Sequence, residues 1–150
     1  MPSPQWKPNV TVAAVVKRGE RFLLVEEKDD GAKVLNQPAG HVEAKEGIIA
    51  AVRREVLEET GLEFTPRAVV GMYYWHNGGK QTTYLRLCFT GEVGNHDPDH
   101  PLDSGIIRVL WLTRAEIEGQ KERLRSPMVL RCIQDFEAGQ TFPLHLLRQL

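Results

Sequence analysis

Three glutamates in one short stretch have the spacing to act together: Glu55, Glu58 and Glu59. At i, i+3 and i+4 they share one face of an α-helix. Carboxylates crowded onto one face repel each other, and a hard divalent cation with oxygen ligands, Mg²⁺ or Mn²⁺, relieves that repulsion. Taken alone, the three acids fit equally well a solvated helix face on which Arg53 and Arg54 are ordinary surface partners. Their flanks add information. Gly61 follows the last acid by two residues and reads as the helix stop. Upstream, Pro38-Ala39-Gly40 reads as a turn where backbone can come close to a metal or a phosphate.

The elements that must position these acids follow from apolar periodicity. Gly47 to Thr60 is predicted helical, with Ile48, Ala51, Val52, Val56 and Leu57 as an apolar stripe against a sheet. Arg54 and Glu58 are four apart and can pair on its surface. Val10 to Lys17 is a continuous apolar run suited to a buried strand, and Arg21 to Glu27 is its hairpin partner. Strands are expected within 62–75 and 82–93, joined by a loop over 76–80, and again over 106–112. Gly94 to Gly105 is a long polar loop. Thr113 to Glu116 fits a capping box, and Ser126-Pro127 opens a last helix that ends at Gly139. Leu144 to Leu150 is an apolar segment able to dock.

With 150 residues, one domain spanning 1–150 is expected, with 1–9 as a loose, proline-rich arm. A net charge of -1 removes the basic footprint of non-specific nucleic-acid binding. No apolar run is long enough to cross a membrane, and no leader is read at the N-terminus, so a cytoplasmic location is expected. Cys88 and Cys132 lie in apolar surroundings and are expected as buried, reduced thiols.

The full spacing is Gly40, five residues, Glu46, seven residues, then Arg54-Glu55-Val56-Leu57-Glu58-Glu59-Thr60-Gly61-Leu62. It resembles the Nudix box, and every specified position is filled. A chance match is on the order of one in 10⁸ per start position at average residue frequencies. The resemblance implies an α/β/α sandwich with a mixed sheet between helices, and a metal-dependent hydrolase of phosphoanhydride bonds. It implies Glu58 and Glu59 as metal ligands, and Glu55 as general base or further ligand. It also implies Arg54 as the residue holding those acids, a backbone carbonyl at Ala39 or Gly40 as a ligand, and Glu46 as a support of the loop–helix geometry. In some members the base lies outside the box; here Asp103 is the candidate, with Asp97 and Asp99 behind it.

Further phrases, Asn36-Gln37-Pro38-Ala39-Gly40-His41 and Arg125-Ser126-Pro127, resemble one bacterial phosphatase branch of that family. That branch implies hydrolysis of nucleoside tri- and diphosphates, and of 4-amino-2-methyl-5-hydroxymethylpyrimidine diphosphate, with release of orthophosphate. The partner so implied is a small-molecule nucleotide or pyrimidine diphosphate, taken by a monomer or homodimer. Leu35 stands where a tryptophan is expected, which would alter specificity if that ring stacked on the substrate. For the substrate end, Arg86, Tyr84, Trp75 and Gln37 are the candidates, with Lys33 and Lys80 as loop cations. A zinc site from His96, Asp97, Asp99 and His100 is weighed against a plain solvated loop. Competing readings are another Nudix subtype, acting on ADP-ribose, a dinucleotide or a prenyl diphosphate, and a non-catalytic ligand sensor.

Overall fold

The apolar run after Val10 becomes a strand with both faces covered. The structure, a computed structural model, describes residues 4–150. Residues 1–3 of the expected arm lie outside the described residues, and 4–8 carry no regular structure. Strand β1 spans Asn9–Val15. Side chains alternate across a strand, and those of β1 divide between two cores. Val12 and Ala14 join one cluster, Ala13 and Val15 the other. Each face buries apolar groups, so the run shows no polar alternation.

Strand β1 lies in a five-stranded sheet with β5 (Ala39–His41), β6 (Glu63–Asn77), β7 (Thr82–Gly94) and β9 (Phe142–Pro143), in the order β5-β1-β7-β6-β9. It runs parallel to β7, while every other pairing is antiparallel, so the sheet is mixed. A second sheet is built on β3 (Arg21–Asp29), antiparallel to β2 (Lys17–Arg18), β4 (Ala32–Asn36) and β8 (Ile106–Thr113). The expected hairpin therefore forms only at its tip, where Lys17 and Arg18 face Phe22 and Arg21. Beyond the tip β3 leaves for the second sheet, because the edges of β1 are taken by β5 and β7. Pro38 to Gly40 also differs from the expected turn. Backbone bonds from Ala14 to Pro38 and from Val42 to Val10, each 3.0 Å, draw it into the sheet as β5.

Helix α1 (Ile48–Thr60) covers one face: its Ala51, Val52 and Val56 pack with Val12 and Ala14. On the other face, Cys132 and Ile133 of α3 (Pro127–Glu137) and Ile117 of α2 (Arg114–Gly119) pack with Ala13 and Val15. The outcome is the expected α/β/α arrangement. Cys88 and Cys132 are buried free thiols in the second cluster.

The caps explain where the helices stop and start. Gly61 closes α1 in the left-handed region, with φ 74° and its N–H on the Leu57 carbonyl at 2.8 Å. Gly47 at the start has no side chain to cap with; Gln149 substitutes, its Oε1 accepting from the Ile49 N–H at 3.2 Å. The C-terminal apolar segment thus docks at the start of the acid-bearing helix, with Leu144 and Leu147 against its core. The capping box at Thr113 and the Ser126 cap before Pro127 are both formed.

Strand β6 carries Pro66 and shifts register there and again near Val70, the usual accommodation of proline in a sheet. Gly91 faces Pro66, and a Cβ at Gly91 would overlap the Thr65 carbonyl oxygen. Gly91→Ala should lower stability by roughly 1–3 kcal/mol, the usual cost of overpacking. Gly94→Ala, with no neighbour in reach, should change it little. Chemical denaturation of both variants checks this; equal stabilities would contradict the close approach.

Candidate active site

The guanidinium of Arg54 is the hub of the acid-rich helix. Its Nε and Nη2 donate to the two oxygens of Glu46 at 2.7 and 2.9 Å. Nη1 donates to Glu55 at 2.8 Å and to Glu58 at 3.1 Å. Nη2 also reaches the His41 carbonyl at 3.0 Å, tying α1 to the end of β5. One cation in fork geometry thus holds three carboxylates and a backbone carbonyl. Arg54, first among its neighbours, holds the Glu46 carboxyl down to about 2, and the Glu43 N–H adds to this. Glu46 is spent on geometry, as its box position implied.

Glu55 and Glu58 are joined by an acid from far along the chain. Ligand oxygens of Glu55, Glu58 and Asp103 lie within 4.8 Å of one another, the one such cluster among the described residues. Asp103 arrives because its loop is fastened over the end of α1. The Asp103 N–H donates to the Glu58 carbonyl and the Asp97 N–H to the Gly61 carbonyl, both at 3.0 Å. Burial pushes Glu55 up to about 7 against the pull of Arg54, with Glu58 and Asp103 adding their repulsion.

Glu59 is turned away from this trio. Its carboxylate accepts from the Ala39 N–H at 2.8 Å, in front of β5. Burial pushes it up to about 9; the Ala39 N–H opposes this, and the charges of Glu27, Glu55 and Asp103 reinforce it. Gly40 is held between the two groups of acids, since a Cβ there would overlap the Glu55 carboxylate. Such a set of oxygen donors, crowded and short of positive charge, suits a hard divalent cation. The side chains of Asp97 and His100 have local partners: Asp97 caps the Asp99 N–H at 3.0 Å, and His100 pairs with the Pro101 carbonyl at 3.0 Å. These residues form no ligand cluster.

Beside Ala39 and Gly40 opens a cleft with a cavity of ≈ 100 Å³, lined among others by Arg86, Trp75, Tyr84, Lys80 and Arg125. Trp75 and Tyr84 stack on each other, centroids 5.8 Å apart and planes 16° apart. Lys80 pairs with Asp29 at 2.8 Å and Arg125 with Glu27 at 2.6 Å. Gln37 does not line the cleft. It is buried behind it, accepting from Arg86 Nη1 at 2.8 Å and donating to the Val129 carbonyl at 3.0 Å. Leu35 is fully buried in the core with its carbonyl on the Arg125 N–H. That position faces the core instead of the cleft. Arg125, Glu27 and Thr11 are cleft neighbours that sequence reasoning did not single out as site residues. Thr11 had a signal, being the one hydroxyl in a run of apolar residues.

A family model described as "NUDIX domain" matches residues 7–132. The chain is 41% identical over 142 residues to "Phosphatase NudJ" of Escherichia coli strain K12, covering 95% of this chain and 92% of that protein. A solved structure of a NUDIX hydrolase from Nitrosomonas europaea matches with a TM-score of 0.94 and 49% identity, over 96% of this chain and 98% of that one. A MutT protein from Methanosarcina mazei Go1 matches in fold, with a TM-score of 0.70 at 24% identity, over 91% and 99% of the chains.

The raised carboxyl groups carry a signature in the metal-free protein. A group that holds its proton more tightly when folded favours folding most below its ordinary value, here 4.5. That contribution is lost as pH rises through about 7 for Glu55 and about 9 for Glu59. In chelator, the melting temperature should fall across this window. Glu59→Gln keeps the acceptor for Ala39 but cannot ionise, and should flatten most of the upper part of the slope. A melting temperature independent of pH there would contradict the burial of Glu59.

Proposed function

The chain belongs to the NUDIX domain family and hydrolyses phosphoanhydride bonds, and on that premise we propose that it is a divalent-metal-dependent phosphatase of nucleoside tri- and diphosphates and of hydroxymethylpyrimidine diphosphate. The observation that carries this reading is the convergence of Glu55, Glu58 and Asp103 beside a cleft lined by Arg86, Lys80 and Arg125. The similarity to a protein named a phosphatase supports orthophosphate as the product.

Mg²⁺ is the proposed cofactor, with Mn²⁺ able to replace it, because both are hard cations that take oxygen ligands. Glu55, Glu58 and Asp103 would hold one ion, and Glu59 with the backbone carbonyl of Ala39 or Gly40 would offer further ligands to a divalent ion beside the phosphates. The ion supplies charge neutralisation for the phosphates and acidifies water. The residues do the rest. Arg54 keeps Glu55 and Glu58 in place at 2.8 and 3.1 Å. Glu55, buried beside Glu58 and Asp103, is the proposed general base for the attacking water, with service as a further ion ligand as its alternative role. Asp103 is exposed and stays the alternative base on the loop side.

A phosphate- and pyrophosphate-release panel tests this, run with Mg²⁺ present or chelated. It covers nucleoside tri- and diphosphates, the pyrimidine diphosphate, ADP-ribose and a diadenosine polyphosphate. Orthophosphate from the nucleotides and the pyrimidine diphosphate, abolished by chelator, is expected. In the same assay Glu55→Gln should lower kcat about 10²–10⁴-fold, the usual worth of a general base, with native far-UV circular dichroism. Turnover of ADP-ribose or the dinucleotide alone would overturn the substrate reading. A mild loss in Glu55→Gln with a large one in Asp103→Asn would move the base to the loop.

A further inference from the structure

Strand β5 is an edge of the five-stranded sheet and pairs with β1 alone. Its free edge meets the acid-rich helix: the Ala39 N–H is on Glu59, and the His41 carbonyl is on Arg54. All three of its residues also line the cleft. A substrate that sits in the cleft and presents a phosphate to the acids therefore crosses β5. Ala39 and Gly40 have no polar side chain, so His41 is the one residue of that strand whose side chain can meet a phosphate at the crossing.

The register puts the ring on the cleft side. Residues directly opposite one another in neighbouring strands share a face of the sheet. Thr11 stands opposite both His41 in β5 and Arg86 in β7, and this row of three lines the cleft. Two contacts hold the ring. The Tyr84 ring lies beside it, centroids 6.5 Å apart, and Asn9 Nδ2 meets its Nε2 at 3.2 Å. An amide NH₂ donates only, so Nε2 accepts and the ring proton is on Nδ1. Nε2 is thereby spent on Asn9, and Nδ1–H is the donor left to the cleft.

We propose that His41 is a further catalytic residue, a neutral donor whose Nδ1–H binds the leaving phosphate, with Asn9 as the positioning residue that fixes its tautomer. This rests on the proposed hydrolase reading. Water attacks the terminal phosphorus held at the acids, and the bond from that phosphorus to the bridging oxygen breaks. The electron pair of that bond stays on the oxygen, so negative charge grows on the next phosphate, where the chain crosses β5. A donor already fixed at that point binds the transition state more strongly than the ground state. The proton stays on the ring, and His41 keeps its charge state throughout.

Side-chain variants test this without touching the carbonyl that Arg54 holds, so their melting temperatures should match the wild type. His41→Leu should lower kcat at least about tenfold, short of the roughly 10²–10³-fold of an enclosed oxyanion donor because the ring is exposed. KM should change far less than kcat, as for an interaction made in the transition state. Asn carries an N–H at the place of Nδ1, so His41→Asn should recover most of the loss. Gln carries its amide at the place of Nε2, so His41→Gln should not. Nitrogen NMR of the wild-type ring, identified by its absence in His41→Asn, should show the proton on Nδ1. Asn9→Leu should mix the two tautomers, and inorganic phosphate added with Mg²⁺ should shift the wild-type Nδ1–H signal. A ring protonated on Nε2, wild-type kcat in His41→Leu, equal recovery by Asn and Gln, or no shift with phosphate would each overturn the proposal. Failure of the hydrolase reading shows separately, as absent phosphate release by the wild type while the Nδ1–H signal still answers to phosphate.

Discussion

One guanidinium holds the acid-rich helix together. Without Arg54, Glu46, Glu55 and Glu58 would face each other with nothing to offset their charge. With it, Glu46 becomes a strut between loop and helix, and Glu55 and Glu58 are aimed at one point. The His41 carbonyl on the same guanidinium fixes the helix against β5, and that in turn places Ala39 in front of Glu59. Arg54 does not neutralise the site. It serves Glu46 first, and burial still raises Glu55 and Glu59 above their ordinary range. The remaining deficit of positive charge is what a divalent cation would supply.

Local chemistry in this chain was legible because it depends on neighbours in sequence. The spacing of Arg54, Glu55, Glu58 and Glu59 needs only helical periodicity, and the stop at Gly61 and the starts at Thr113 and Ser126 need only cap chemistry. The alternating burial of β1 between two cores is likewise the meaning of an apolar run without polar breaks. What sequence did not show is where strands go after they form. β3 reads as the partner of β1, yet pairs with β4 and β8, because edge competition across the whole sheet decides pairing. Gln149 capping α1 is the same kind of fact: a contact across 100 positions leaves no local mark.

The site divides along that line. The box acids are readable, and Asp103 is a candidate from its loop, but its place as their third partner depends on the loop being fastened to Glu58 and Gly61. Gln37 reads as a substrate-binding candidate and proves to be buried, as does Leu35 at the position where a tryptophan is expected. Strand alternation and the depth of the cleft set that outcome, and neither is encoded in a four-residue phrase. Thr11 is the converse case, a single hydroxyl in an apolar run that proves to stand beside Arg86 across the sheet.

The most direct test of the metal-site assignment is anomalous diffraction from a crystal soaked in Mn²⁺. A peak ligated by Glu55, Glu58 and Asp103, beside the Ala39–Gly40 backbone, is the predicted result. A strong peak at the His96–His100 loop with none among those three carboxylates would contradict it, and would leave the crowding of acids around Arg54 as a structural feature only.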